Sequence, residues 1–475
     1  MKMFHIFVHA RAMAFACMLG LTLSPIAAQA VQTSRYLDEG VQAPVRETLS
    51  LEDTIRLTLA NNPSLYEFEF RQRVIDGESK TAALKPALNA GIELENFMGT
   101  GEVSGIKELE VSLTLSSVLQ LNDKPSARLD VLSERKIQQE VEKKIRTLDV
   151  LGELNRRYID ALVLQATLDV QNDAETLALY TYNAVSKRVD AGASPLLEQK
   201  RAQAALAQAK LDVKLAQEAL QFALRSLAIM WGEQTPFFKR VEGKLFAFQD
   251  IGSFEMLSAA IQSSPHIDLF AKQSRVQAAQ LRLVQANNRA DIEWSAGVRR
   301  IQGIDETALI AGISVPLFQQ KRNFGEYEAQ KARLDAIEVQ KQSNVRRLLH
   351  SVNQALGEHT RALLEVDAIQ QTVIPPLTEA LELVESAYLD GRFSYLEWVS
   401  TRQEFLNKRL TLIEAASQVH LSKTEIETLT GLALKASQSS TAKTDTAKSK
   451  ASKNLAHSIT MQQPSNISIR SNDHE

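Results

Sequence analysis

Glu108-Leu109-Glu110-Val111-Ser112-Leu113-Thr114-Leu115 alternates polar and apolar side chains without a break. Period-two alternation puts the acids and hydroxyls on one face of a strand and the aliphatic residues on the other. The device recurs around Ile92, Glu93, Leu94 and Glu95. It recurs again where Ile292, Trp294, Ala296 and Val298 oppose Glu293, Ser295 and Arg299, and in the apolar row Leu309, Ala311, Ile313, Val315 and Leu317. The expected strands span about 88–97, 108–117, 291–301 and 308–317. Segments of ~9–11 residues with this pattern suit a strand crossing an outer membrane, apolar face to lipid and polar face to a lumen. A sheet half buried on a helical layer has the same alternation, so the pattern alone leaves both readings open. Four strands cannot close a barrel, and an open edge is not viable in lipid. Transmembrane strands here therefore require several protomers to pool them.

Outward from the strands the chain repeats itself. Asp190, Ser194, Leu196, Gln203 and Leu206 return two hundred positions later as Asp390, Ser394, Leu396, Gln403 and Leu406. Asn62-Pro63 answers to Ser264-Pro265, and Ser112-Leu113-Thr114-Leu115 to Gly312-Ile313-Ser314-Val315. Each half reads as helix, strand, loop, strand, very long helix, tight turn, long helix. From Ser126 to Val189 there is no proline and one glycine, Gly152, which predicts a rod of roughly 100 Å. In the return helix Leu206, Ala209, Val213, Ala216, Leu220, Ala223 and Leu227 step by three and four, the seam of a coiled coil. Gly192 and Gly391 suit the left-handed residue that ends a helix, and Ser194 and Ser394 suit N-caps. Pro195 is expected at the first helical position, and Ser394 with Glu397 spells a capping box. The predicted long helices span about 125–190, 195–231, 320–389 and 395–430. A soluble helical hairpin explains these segments equally well.

Composition narrows the class. With 44% hydrophobic and 23% charged residues in 475, the chain is a folded protein. A net charge of −3 and no basic block interleaved with aromatics exclude a nucleic-acid footprint. Lys2 and Arg11, the apolar run Ala12 to Leu23 and Ala28-Gln29-Ala30 make the pattern of a cleaved secretory signal peptide at 1–30. Its apolar core is too short to span a bilayer. Cys17, the one cysteine, lies inside that core, which disfavours its acylation and leaves no disulfide framework. The remaining organisation is expected as an N-terminal periplasmic segment 31–50, a first repeat 51–232, a linker 233–253, a second repeat 254–432 and a disordered tail 433–475 rich in Lys, Ser and Thr.

Several stretches resemble the TolC family of outer-membrane efflux channels, in particular its heavy-metal, CzcC-like branch, over roughly Leu49 to Leu432. They are Glu95-Asn96-Phe97 with Gly99-Thr100-Gly101, Glu110 to Ser116, Trp231-Gly232, Gly297-Val298-Arg299-Arg300, and Gly312 to Leu317. Arg322-Asn323 with Gly325, the turn at Gly391 and Ser394, and Leu429-Thr430-Gly431 complete the set. The resemblance implies a mainly α protein with membrane β-strands, a homotrimer whose twelve-stranded β-barrel in outer-membrane lipid continues as an α-helical barrel. It implies an exit duct working with a periplasmic membrane-fusion adaptor and an inner-membrane transporter of the resistance-nodulation-division type. After the second strand the branch has a Gly-Gly-Lys-Arg-like run where this chain has Asn122-Asp123-Lys124-Pro125, so the backbone of that corner is expected to differ.

On the trimeric reading Glu93, Glu95, Glu108, Glu110 and Glu293, against Arg299, face a water-filled lumen and favour cations. The alternative is a merely solvated strand face. Gly192, Ser194, Gly391 and Ser394 mark the tips where the family's adaptors dock, and Asp190 and Asp390 are candidates for narrowing the closed entrance. Plain helix capping needs only the glycines and serines. His266, His350, His359 and His420 are dispersed with no metal-ligand spacing. Neither a phosphate-binding loop nor a nucleophile elbow occurs. No enzyme, cofactor or resident metal is expected. The cargo is expected to be a heavy-metal cation, with drugs or organic solutes as the alternative and a soluble coiled-coil scaffold as a reading from another class.

Overall fold

The computed structural model describes residues 46–434 except 99, 102, 103 and 122. The expected leader 1–30, most of segment 31–50 and nearly all of the tail lie outside the described residues. In the first half a short strand β1 (Arg46–Leu49) precedes helices α1 (Leu51–Asn61) and α2 (Pro63–Ala82). The strand pair β2 (Asn89–Glu95) and β3 (Glu110–Leu119) follows, then α3 (Lys124–Asp190) and α4 (Leu196–Ala228). Strand β4 (Phe238–Val241) lies in the linker and pairs parallel with β1. The second half repeats the order with α5 (Phe254–Gln262), α6 (Pro265–Asn287), β5 (Ile292–Ile301) and β6 (Glu306–Ser314). It ends with α7 (Gln319–Arg322), α8 (Phe324–Ala368), α9 (Ile374–Leu389) and α10 (Tyr395–Thr430). Asn62 and Ser264 are the N-caps of α2 and α6, each with proline next, where the missing N–H costs nothing.

Three expectations need correction. The strand at 308–317 lies earlier, ending at Ser314, because Pro316 cannot extend a ladder. The N-terminal segment drawn at 31–50 is not separate from the linker 233–253, since β1 falls inside it and pairs with β4. The single helix over 320–389 is broken twice. Asn323 separates α7 from α8, and a π-helical turn, Ile369–Val373, separates α8 from α9. Pro375 and Pro376 explain the second break: neither offers an N–H to the carbonyl four residues back, so the ladder widens by one residue before α9 resumes. The matching stretch of α3 has no proline and runs unbroken for 67 residues.

The seam read from α4 is buried throughout, with Ala223, Leu224 and Leu227 sealed against Leu151, Leu154 and Ala161 of α3. Gly152 sits where α3 meets α10, and a side chain there would collide with the Thr428 hydroxyl. At the corner after β3, Asp123 adopts a left-handed conformation (φ 49°) that glycine takes most readily. Lys124 next to it is buried, donating to Asp291 (2.7 Å) and to the Arg289 carbonyl (2.8 Å), and so ties the start of α3 to the start of β5.

His266, His359 and His420 are packed among these helices. Burial holds all three below the ordinary imidazole pKa, with only partial compensation from the carbonyls of Thr428, Val419 and Leu245 respectively. A histidine depressed on folding contributes its full stability above the unfolded pKa of ~6.5 and loses it as pH falls below that value. Thermal unfolding followed by circular dichroism should therefore show a falling melting temperature from pH 7 to pH 5. His359→Gln should flatten that slope, and an unchanged slope in all three single glutamine variants would remove histidine burial as its cause.

Candidate functional site

The sheet runs β2-β3-β5-β6, antiparallel throughout, and its register decides which side chains share a face. Glu95 pairs with Glu110, Ser112 with Arg299, and Glu293 with Ser314. One face therefore carries Glu93, Glu95, Glu110, Ser112, Thr114, Glu293, Arg299 and Glu306. The other carries Ile92, Leu94, Leu113, Leu115, Trp294, Val298, Leu309 and Ile313. Of these last, Leu309 is 86% exposed and Ile313 77%. Apolar side chains displayed so fully, in one contiguous row, mark a surface that something else covers.

Arg299 is the centre of the polar face. Its guanidinium pairs with Glu95 (2.9 Å) and Glu110 (2.9 Å) and donates to the Ser112 hydroxyl (2.9 Å). Four of the acids read from the sequence, Glu93, Glu95, Glu110 and Glu293, lie on this face with Arg299. Glu108 does not: it falls in the turn before β3, beside Gly303, because the strand begins two residues later than its alternation suggests. Glu306, at the start of β6, belongs on the face instead. Its position within Asp305-Glu306-Thr307 reads as loop in the sequence, and pairing with Ile301 brings it into the sheet.

At the far end of the helices two turns lie side by side. Gly192 (φ 72°) and Gly391 (φ 76°) both take the left-handed conformation that closes a helix. Ser394 completes the capping box with Glu397. Ser194 does not cap α4. Pro195 takes that position, not the first helical one, and the Ser194 hydroxyl accepts from Arg188 Nε (3.2 Å). Asp190 ends α3, while Asp390 pairs with Arg392 (2.8 Å) at the other tip.

Arg188, which periodicity hid on the last turn of α3, links the hairpins at their tips. It donates to the Leu389 carbonyl across the gap (2.7 Å) and lies over the Tyr388 ring, 5.0 Å from its centroid. Burial pushes the Tyr388 phenol above its ordinary pKa, so it stays a donor, to Glu198 of α4 (3.0 Å). Beneath lie Val185, Ala202, Leu381, Tyr395 and Trp398, a small core that keeps the tips in register.

A sheet with one wet and one dry face, carried on paired coiled-coil hairpins, is the architecture of a channel subunit. Comparison with known proteins makes that specific. Residues 54–233 and 256–432 match the family model described as outer membrane efflux protein, and the chain belongs to that family. It is similar to the cobalt-zinc-cadmium resistance protein CzcC of Cupriavidus metallidurans, 21% identical over 314 residues, covering 66% of this chain and 75% of the relative. Among solved structures, CusC superposes with a TM-score of 0.66 at 16% identity, over 84% of this chain and 95% of that one. A membrane protein from Pseudomonas aeruginosa gives the same TM-score and identity over 83% and 96%. The fold is that of the TolC-like channels, passive conduits and not enzymes.

The tip contact is testable by a double-mutant cycle on Arg188→Ala and Tyr388→Leu. A half-exposed cation over a ring is expected to show a coupling of about 0.5–1 kcal/mol in chemical denaturation. Additive single effects would mean that the ring contact does not hold the hairpins together.

Proposed function

We propose that three copies of this chain form the outer-membrane exit duct of a tripartite efflux pump that exports heavy-metal cations. The observation that carries the reading is the two-faced sheet. Glu93, Glu95, Glu110, Glu293 and Glu306 outnumber Arg299 on its polar face, and three copies turned inward line a pore with excess carboxylate. Such a field concentrates cations without holding them, because acids spread along strands do not converge as a chelating cage does. CzcC, by name, confers resistance to cobalt, zinc and cadmium, and that supports a metal cargo here.

Trimer closure follows from the edges. β2 and β6 each leave one side of the ladder unpaired, and the β6 of one copy pairs with the β2 of the next to give twelve strands. The helical layers end in apolar stripes that support the same contact. Leu211, Leu215 and Phe222 of α4, and Ile229 just past its end, are exposed, as are Leu364 of α8 and Leu383 of α9 on the opposite edge. A soluble scaffold has no use for these exposed rows. Helices carry the conduit into the periplasm, and the tips at Gly192, Ser194, Gly391 and Ser394 receive the adaptor, which couples the duct to a proton-driven inner-membrane transporter. Asp190 and Asp390 narrow the closed entrance together with the Arg188 link.

A deletion strain should become sensitive to zinc, cobalt or cadmium while keeping wild-type resistance to dyes and detergents; the reverse pattern makes organic solutes the cargo. In planar bilayers, changing Glu93, Glu110, Glu293 and Glu306 together to glutamine should lower the cation-over-anion permeability ratio, and an unchanged ratio would make the charge incidental. Gly192→Trp or Gly391→Trp forces a left-handed bulky residue at a cost of roughly 1–2 kcal/mol. Either should abolish crosslinking to the adaptor in cells and leave the trimer intact. Persistent crosslinking would place the docking surface elsewhere.

A further inference from the structure

The polar face of the sheet changes sign where it meets the helices. Ser116 pairs with Asn89 and Val118 with Glu293, so the same registers, carried on by a few residues, put Lys85, Gln120 and Asp291 on that face. An open cavity of 580 Å³ lies there, in the corner between the sheet and the start of α3. The charged residues that line it are Lys85, Lys124, Arg128, Arg289, Asp291 and Glu293. Four cations thus share one hollow with two carboxylates, whereas farther along the same face Glu93, Glu95, Glu110 and Glu306 surround the single Arg299.

Most of the negative charge in the hollow is already engaged. Asp291 pairs with the buried Lys124 (2.7 Å), whose ammonium also donates to the Arg289 carbonyl (2.8 Å). Arg128 is half-buried, and its Nη2 donates to the neutral side-chain oxygen of Gln120 (2.6 Å). That bond orients the guanidinium without offsetting its charge. Lys85 stands exposed at the rim. Among the described residues neither Lys85 nor Arg128 pairs with a carboxylate. A charge drawn partly out of water without a counter-charge is costly, and a mobile anion entering the hollow relieves that cost.

We infer that this cavity binds a small, multiply charged oxyanion, held by Arg128 and Lys85 with Lys124 and Arg289 around it. A planar guanidinium beside an ammonium suits the several oxygens of a phosphate or a polycarboxylate. One chain supplies every one of these cations, so the site itself does not depend on assembly. Its consequence rests on the trimeric duct reading and deepens it. Three such cavities form a positive collar at the foot of the barrel, and the bound anions offset that collar in the path of an outgoing cation.

Isothermal titration of the full chain, purified as a detergent-held oligomer in low-salt buffer free of oxyanions, tests the site with inorganic phosphate and with citrate, against potassium chloride as control. Saturable binding of one phosphate or citrate per chain is expected. Tighter binding of citrate assigns an organic polycarboxylate, and tighter binding of phosphate assigns a phosphate. Affinity should fall roughly tenfold in Arg128→Gln and further as salt rises. Lys85→Gln, at an exposed position away from the Lys124–Asp291 joint, should weaken binding several-fold without disturbing the fold. An oligomer that binds neither probe, or binds them with unchanged affinity in Lys85→Gln and in the folded Arg128→Gln, overturns the site. In planar bilayers, the better-bound probe added to a chloride solution should raise the cation-over-anion permeability ratio of the wild type and leave that of the double glutamine variant unchanged. A bound anion that does not move the wild-type ratio overturns the collar's part in permeation. A chain that forms no channel and stays monomeric without detergent overturns the duct reading, while the titration still decides the site.

Discussion

A strand at the edge of a sheet leaves a row of N–H and C=O groups without partners, and the β2-β3-β5-β6 sheet has two such edges. In water those groups bind solvent at little cost; in hydrocarbon each costs several kcal/mol. The apolar face of the same sheet, with Leu309 and Ile313 standing clear of the protomer, favours hydrocarbon over water. Both demands are met at once only when edges pair with edges and the face turns outward. The rest of the molecule is arranged around that constraint. The long helices hold the four strands at one end, and Lys124 and Asp291 fix the joint between rod and sheet.

The helical part answers to a different force. Its cores are narrow seams of alanine and leucine, without the thickness of a globular interior, and each seam is only as good as its closest approach. Gly152 against Thr428 shows how close that is. The halves are not equivalent. α3 is an unbroken rod, while α8 and α9 are joined through a π turn forced by Pro375 and Pro376. At the tips, backbone conformation is set by Gly192 and Gly391, but contact between hairpins is set by Arg188 and Tyr388. Geometry and adhesion are thus carried by different residues, yet they adjoin, since a side chain at Gly391 would touch the Arg188 guanidinium.

Much of this is legible in the sequence. Period-two alternation located all four strands, because a face shared between water and an apolar phase leaves its mark on every residue. Steps of three and four located the seam of α4, and Leu206 to Leu227 are buried as that spacing requires. The ends were less legible. Glu108 continued the alternation but lies in a turn, since alternation records polarity and not hydrogen bonding. Ser194 had the right residue type for a cap, yet Arg188 claims its hydroxyl.

The sequence by itself determined the order of elements, the internal repeat and which side of each strand is apolar, since all three rest on local periodicity. Only the tertiary structure decided that Glu95, Glu110 and Ser112 meet at Arg299, and that Glu306 joins their face. The same holds for Arg188, which lies two hundred residues from the Leu389 carbonyl that it engages. Register between distant strands and contact between distant hairpins depend on how separate segments are brought together, and no spacing along one segment encodes that.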